Sequence, residues 1–180
     1  MKAMIIPGNN NTDISTNWYL YVKKELEKLG IKVVAENMPD PDLARKEYWL
    51  PFIKENVGEG DVILIGHSSG AVAIMRYLET HKIFGAVLVG TCYTDLNDKK
   101  EKASGYYNEP WQWDKIKKNA NWIIQFASID DPYINKEEFR YINEMLDTEY
   151  HEYKTRGHFE EKEFLELVFH VRQKLGNEFK

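Results

Sequence analysis

The sequence predicts an α/β protein: a three-layer sandwich in which helices cover both faces of a doubly wound, six-stranded parallel sheet. Short apolar runs alternate along the chain with amphipathic segments. Two of these runs, Val62 to Ile65 and Ala86 to Val89, are apolar at every position, which is typical of strands buried on both faces of a parallel sheet. Right-handed crossovers between successive βα units then predict the strand order 2-1-3-4-5-6.

The first half of the chain holds three predicted strand–helix pairs. Pro7 and Gly8 break the first apolar run, and Gly30 provides a stop signal for the first helix. Pro51 lies inside the second predicted helix, so we expect that helix to be kinked or split there. The predicted strands are Ala3–Ile6, Ile31–Ala35 and Val62–Ile65, and the predicted helices are Trp18–Leu29, Leu43–Asn56 and Ser69–His81.

The second half adds three predicted strands and two helices. Asn135 and Glu138 have the spacing of a capping box at the start of a helix over Ile134 to Leu146. In the last helix, apolar residues recur at the spacing of one helix face: Phe164, Leu167, Val168, Val171 and Leu175. The predicted strands are Phe84–Val89, Trp122–Ala127 and the weaker Tyr150–Tyr153.

The composition argues against a membrane protein and against a nucleic-acid binder. With 180 residues, of which 43% are hydrophobic and 29% charged, we expect a single domain over residues 1–180. The longest run without a charged residue, Val62 to Met75, is too short to cross a bilayer, and Pro7 ends the N-terminal run too early for a signal peptide. The formal net charge of −5 is opposite to that of most nucleic-acid binders. The single cysteine, Cys92, excludes an intrachain disulfide and fits a reducing, cytoplasmic compartment.

The loop after the third strand reads Gly66-His67-Ser68-Ser69-Gly70, a G-x-S-x-G pattern. A buried strand ends directly before it and a helix begins directly after it, which is the context of a nucleophile elbow, a strained turn that exposes a serine above the sheet. Gly66 and Gly70 lack side chains that would collide in such a turn, so Ser68 is the predicted nucleophile. The alternative is a serine-rich helix N-cap.

A serine hydroxyl needs a base to accept its proton, and the chain has five histidines. We expect His67 to point away from the neighbouring hydroxyl. For His81, His151 and His170 we expect solvated, packed or structural roles. His158 follows the last strand, where the chain order Ser…Asp/Glu…His of α/β hydrolases places the base.

The carboxylate that orients this base should follow the fifth strand. Asp130 and Asp131 lie there, and we choose Asp131 because it immediately precedes the turn at Pro132; we expect Asp130 to be a hydrogen-bonding residue of the loop. An acyl-transfer site also needs donors for the oxyanion. We predict the backbone N–H groups of Ser69, at the start of the third helix, and of Asn9, although the asparagine run after the first strand also fits an ordinary polar turn.

The connection between the fourth and fifth strands, residues 91–121, is long and rich in aromatic residues. Long connections in compact domains are often lids, so we expect a lid in which Trp111 and Trp113, together with Phe159, close one side of the substrate pocket. The alternative is that these aromatic residues only pack the connection against the body of the protein. We interpret Cys92, at its beginning, as a small buried residue.

The sequence also resembles a known family, the YdeN-like serine hydrolases of the α/β-hydrolase fold. The resemblance covers nearly the whole chain and rests on motifs in consistent order: GHSSGA at 66–71, NMPDP at 37–41, WLPF at 49–52, RYLETH at 76–81, ASGY at 103–106, PWQW at 110–113, DDP at 130–132 and GHF at 157–159. It implies a minimal α/β-hydrolase fold, small ester or amide substrates, no metal and no cofactor. By likeness, the family's nucleophile, acid and base fall on Ser68, Asp131 and His158.

One member of that family takes its name from an L-x-C-x-E motif that engages retinoblastoma pocket proteins. The matching region here, Glu55 to Asp61, has no such motif, so we do not expect pocket-protein binding. The leading hypothesis is therefore a serine hydrolase of esterase or amidase type. Two alternatives remain: a protein-interaction module on a hydrolase-like scaffold, and a flavodoxin-like cofactor binder suggested by sheet topology alone.

Overall fold

The protein, seen in a computed structural model that describes residues 1–58 and 60–176, is built on one sheet of six parallel strands. The strand order is β2-β1-β3-β4-β5-β6, so the predicted fold class and order are confirmed. In the segment Glu55 to Asp61, discussed above, Glu59 lies outside the described residues. The strands are β1 Lys2–Ile6, β2 Lys32–Val34, β3 Val62–His67, β4 Gly85–Val89, β5 Ile123–Ser128 and β6 Glu149–Tyr153.

Seven helices connect or follow these strands within the described residues: α1 Tyr19–Lys28, α2 Lys46–Val57, α3 Ser69–Leu78, α4 Lys99–Ser104, α5 Trp113–Lys118, α6 Lys136–Leu146 and α7 Leu165–Leu175. Helix α2 starts three residues later than predicted because Ala44 has φ +52°, a conformation that no right-handed helix contains. Pro51 does not split α2. It removes one backbone hydrogen bond, and the buried residues Trp49, Ile53 and Val57 hold the helix on the sheet.

The two faces of the sheet are covered by different helices. Because strand side chains alternate, Met4, Leu64 and Leu88 join the core beneath α2, α3, α5 and α6. Their neighbours Ile5 and Ile65 join the core beneath α1 and α7. All six strands run parallel, so their carboxyl ends meet at one edge. The strand order changes direction between β1 and β3. A doubly wound sheet binds its ligands at this point.

The connection from residue 91 to residue 121 is not a bare loop, since it contains α4 and α5. It is docked on α3 through Arg76, which is 5% exposed. The Arg76 guanidinium donates to the carbonyl oxygens of Tyr106 and Glu109 at 2.7 and 2.6 Å, pairs with Glu79 and lies 3.7 Å above the ring of Trp111. The connection is therefore anchored to the body of the protein.

Among the described residues, none of the helices combines the length and the hydrophobicity that crossing a bilayer requires.

Candidate active site

Ser68 occupies a strained turn between β3 and α3. Its φ of 53° and ψ of −122° lie outside the conformations that residues with a side chain ordinarily adopt. The two flanking glycines make this turn sterically feasible. A Cβ atom on Gly66 would lie 2.5 Å from the backbone of Gly70, and a Cβ atom on Gly70 would lie 2.2 Å from the carbonyl oxygen of Ile6. The turn thus has the geometry of a nucleophile elbow.

The loop after β1 lies directly against this turn, because β1 and β3 are neighbours in the sheet. A Cβ atom on Gly8 would stand 3.3 Å from Cβ and 3.8 Å from Oγ of Ser68. Asn9, the next residue, lines the same cavity as Ser68 and Ser69. Ser69 is the first residue of α3, so its backbone N–H belongs to the helix turn whose donors have no partner within the helix.

Asp131 and His158 form a direct pair at the carboxyl ends of β5 and β6. Nδ1 of His158 lies 2.7 Å from Oδ2 of Asp131, and the two side chains are 9% and 0% exposed. The other carboxylate oxygen of Asp131 accepts backbone N–H bonds from Tyr133 and Ile134 at 2.9 and 3.0 Å. Because a carboxylate can only accept, Nδ1 of His158 donates, and Nε2 remains as the nitrogen that can take up a proton.

The loop that carries His158 is held from two sides. Nε2 of His67 lies 2.7 Å from the carbonyl oxygen of His158, so the residue before Ser68 anchors the backbone of the predicted base. Asp130 accepts from the N–H of Gly157 at 2.9 Å and from Ser128 Oγ at 2.6 Å. These hydrogen bonds lower the pKa of Asp130, the one from Ser128 most. Asp130 thus bonds to the loop, whereas Asp131 contacts the imidazole.

His67 is buried and neutral. A carbonyl oxygen can only accept, so Nε2 carries the proton donated to His158, and Nδ1 accepts from the hydroxyl of Tyr19 at 2.6 Å. Burial, and secondarily the nearby His158, lowers its pKa to about 3. Both ring nitrogens are occupied by these bonds, which leaves neither of them for the hydroxyl of Ser68.

Gly90, the residue after β4, provides room for the Asp131–His158 pair. Its φ is +54°, and a Cβ atom here would lie 3.3 Å from Nδ1 of His158 and 3.8 Å from Oδ2 of Asp131. We did not single out this glycine from the sequence. The available signal was its position directly after a buried strand, at the edge of the sheet where ligands bind.

A cavity of about 660 Å³ contains Ser68 and His158 together with Asn9 and Ser69. Four of the five residues that we predicted for catalysis and oxyanion binding therefore share one cavity, and the fifth, Asp131, stands behind His158. The cavity wall is completed mainly by polar residues from the loop after β1 and from the first part of the 91–121 connection, among them Asn10, Thr12, Cys92, Lys100 and Glu101.

The structure does not bring Trp111, Trp113 or Phe159 to this cavity, and it corrects our prediction that they close the pocket. The two tryptophans stack on each other, with ring centroids 5.6 Å apart, and pack against the core beneath α3. Phe159 is fully buried beneath α7, stacked on Phe164, and its carbonyl oxygen accepts from Trp18. The aromatic residues serve packing, the alternative that we left open.

Cys92 also lines the cavity, but as a protonated thiol. It is buried, and burial raises its pKa well above the usual value, so the reactive thiolate is disfavoured. Its Sγ lies 3.2 Å from the hydroxyl of Tyr107.

The remaining histidines lie in other surroundings. His81 stacks on Tyr77 at 4.2 Å. His151 and His170 both contact the carboxylate of Glu149, at 3.0 and 2.8 Å. Lys174 pairs with the other oxygen of that carboxylate and brings a positive charge that would oppose a metal cation there. We therefore interpret this cluster as a set of polar contacts that links β6 to α7.

Comparison with known proteins identifies the family. The family model described as serine hydrolase matches residues 3–173. The serine hydrolase RBBP9 of Rattus norvegicus is 46% identical over 177 residues, which cover 97% of this chain and 95% of the relative. The ydeN gene product of B. subtilis superimposes with a TM-score of 0.87 at 22% identity, over 97% of this chain and 98% of the other. Est1E from Butyrivibrio proteoclasticus, solved with ferulic acid bound, superimposes with a TM-score of 0.77 at 12% identity, over 98% and 88% of the two chains. The chain belongs to the serine hydrolase family, and its fold is that of the α/β hydrolases.

Proposed function

We propose that this protein hydrolyses small carboxylic esters or amides through an acyl-enzyme intermediate on Ser68. His158 acts as general base and general acid, and Asp131 orients its imidazole. The backbone N–H groups of Asn9 and Ser69 bind the oxyanion. The observation that carries the proposal is the convergence of a strained serine and an aspartate-bound histidine on one cavity.

The reaction begins when Oγ of Ser68 attacks the substrate carbonyl carbon and its proton passes to Nε2 of His158. The resulting imidazolium is stabilised by the carboxylate of Asp131. As the tetrahedral intermediate collapses, the bond to the leaving alcohol or amine breaks, and His158 returns the proton to that group. A water molecule then gives a proton to His158 and attacks the acyl carbon. As the second tetrahedral intermediate collapses, the bond between the acyl carbon and Oγ of Ser68 breaks, His158 returns the proton to Oγ, and the acid is released.

The cavity supports a small substrate. A volume of about 660 Å³ falls within the range of sites for small molecules. The oxyanion of either tetrahedral intermediate would face the N-terminal end of α3, where the helix dipole favours negative charge. Substrate binding in this orientation places the carbonyl between Ser68 and the loop after β1.

The experiment that tests the proposal is hydrolysis of a panel of p-nitrophenyl esters and matched p-nitroanilides, from acetyl to octanoyl. We expect the wild type to turn over the short acyl esters or anilides and Ser68→Ala to lose at least about 10⁴-fold in kcat, because no other group supplies the nucleophile. Ser15→Ala, which changes an exposed serine, is the matched control. Equal turnover by wild type and Ser68→Ala would refute the proposal.

A further inference from the structure

Glu101, a residue of the 91–121 connection, contacts both residues of the proposed oxyanion hole, Asn9 and Ser69. One carboxylate oxygen, Oε1, accepts from Nδ2 of Asn9 at 2.7 Å and lies 3.3 Å from Oγ of Ser69. The other oxygen, Oε2, accepts from the hydroxyl of Tyr107 at 2.9 Å. Asn9 and Ser69 are the two residues whose backbone N–H groups we assign to the oxyanion. One side chain from a distant part of the chain therefore contacts both.

The backbone around Glu101 fixes the position of its carboxylate. Asp98 caps α4 by accepting from the backbone N–H groups of Lys100 and Glu101. The Tyr107 hydroxyl that bonds to Oε2 also contacts Sγ of Cys92. Asp98, Tyr107 and Cys92 thus orient the side chain before any substrate binds.

The carboxyl group is partly buried, and desolvation raises its pKa. The three side chains that bond to it, Asn9, Ser69 and Tyr107, are all neutral, so hydrogen bonds rather than an opposite charge satisfy the carboxylate. A polar group placed in this way is costly unless its partners stay in place. Glu101 and the loop after β1 therefore hold each other in one arrangement.

The loop after β1 needs such support. Asn10 and Asn11, directly after Asn9, have φ values of 56° and 58°, which cost energy for residues with a side chain. An oxyanion hole works only when its N–H groups are held 2.7–3.1 Å from the developing charge, and a displacement of about 1 Å from that geometry costs on the order of 100-fold in rate.

We infer that Glu101 is a positioning residue of the oxyanion hole, which it assembles by bonding to the side chains of Asn9 and Ser69. This inference rests on the proposed function. Glu101 acts through these two residues, so its removal lowers the stabilisation of the transition state and leaves the affinity for ground-state substrate nearly unchanged. The 91–121 connection thereby contributes to catalysis through a carboxylate, rather than through the aromatic pocket wall that we predicted.

The test compares three variants with the wild type. Glu101→Leu keeps the approximate volume and removes both acceptors. Glu101→Gln keeps the Oε1 acceptor for Asn9 and Ser69, and its amide can donate to Tyr107. Lys102→Leu changes an exposed residue of the same helix and serves as the matched control. The measurements are kcat and KM for p-nitrophenyl acetate and the inhibition constant of a small trifluoromethyl ketone, which forms an oxyanion on the active serine.

We expect Glu101→Leu to lower kcat by roughly 10- to 100-fold with KM within about twofold. The inhibition constant of the ketone should rise by the same factor by which kcat/KM falls. Glu101→Gln should recover most of kcat, and Lys102→Leu should match the wild type. An unchanged kcat in Glu101→Leu would overturn the inference. A rise in KM alone would also overturn it, because that result would indicate that Glu101 contacts the substrate directly.

Asn9→Ala provides an independent arm if Glu101→Leu is insoluble, because it breaks the same hydrogen bond from the other partner. We expect a similar fall in kcat, and the double variant should lose little more than either single variant. Additive losses, or an unaffected Asn9→Ala, would contradict the inference. Failure of the proposed function gives a different result, since the wild type itself would then neither hydrolyse the ester nor bind the ketone.

Discussion

Nε2 of His67 lies 2.7 Å from the carbonyl oxygen of His158. The two rings are neighbours, with centroids 4.8 Å apart. The residue that precedes the proposed nucleophile thus supports the backbone of the proposed base, and the elbow and the histidine loop are built as one unit. The other ring nitrogen of His67, Nδ1, accepts a hydrogen bond from the hydroxyl of Tyr19 at the start of α1. This hydrogen bond links the elbow and the histidine loop to α1.

His67→Leu should lower kcat by roughly tenfold with little change in KM, because the His158 loop loses its anchor and the imidazole shifts from its productive position. His67→Gln should retain more activity, since its amide nitrogen can still donate to the carbonyl of His158. Steady-state kinetics on the same ester distinguishes these outcomes. A Leu variant with normal kcat would show that the hydrogen bond serves folding alone.

The buried, neutral His67 should also make stability depend on pH. Its pKa is lowered to about 3 in the folded protein, against about 6.5 when unfolded. The unfolded chain therefore takes up a proton that the folded chain refuses, and the stabilisation present above pH 6.5 is lost as the pH falls toward 3. Between pH 7 and 4.5, the free energy of unfolding should fall by about 2–3 kcal/mol more in the wild type than in His67→Gln. Urea titrations at the two pH values measure it, and parallel losses would contradict the prediction.

Asp131→Asn should lower kcat by about 10³- to 10⁴-fold while leaving the fold intact. The amide would keep the backbone bonds from Tyr133 and Ile134 through its oxygen and turn its NH₂ group toward Nδ1 of His158. That arrangement favours the tautomer with the proton on Nε2, which cannot act as a base. Asp130→Asn is the matched control, because its oxygen can still accept from Gly157, and it should lose less than about threefold. Comparable losses in both variants would refute our choice between the two aspartates.

Gly70→Ala should destabilise the protein strongly, because the added Cβ would lie 2.2 Å from the carbonyl oxygen of Ile6. The backbone of the elbow and that of Ile6 and Pro7 must move apart, and we expect this to lower the free energy of unfolding by more than about 3 kcal/mol. Gly176→Ala is the control, since its Cβ would meet Arg172 at an ordinary 3.6 Å. Thermal unfolding should place the first variant at least about 6 °C below wild type and the second within about 2 °C of it. Equal melting temperatures would argue against the close contact between the elbow and β1.

The sheet could be predicted from sequence because each strand is specified by residues that are neighbours in the chain. Fully apolar runs such as Val62 to Ile65 specify buried strands, and the elbow glycines lie within two residues of Ser68. The short helices α4 and α5 could not be predicted, since six residues are too few to show a helical period.

Functional features that depend on distant contacts were the ones that sequence reasoning missed. Glu101 contacts Asn9 across 92 positions of the chain, and His67 contacts His158 across 91. Trp111 was misplaced because its position depends on Arg76, a buried cation on α3. No local pattern encodes any of these three contacts, whereas the order of Ser68, Asp131 and His158 follows from the order of the strands.

The most direct test of the account is covalent labelling with a fluorophosphonate probe, followed by peptide mapping. We predict that the wild type is labelled at one residue, Ser68, that Ser68→Ala is not labelled, and that Ser69→Ala still is. Asp131→Asn should be labelled much more slowly, because His158 can no longer take the proton from the hydroxyl. Labelling of Ser68→Ala at the wild-type rate, or a label mapped to another residue, would contradict the claim that the strained turn after β3 carries the nucleophile.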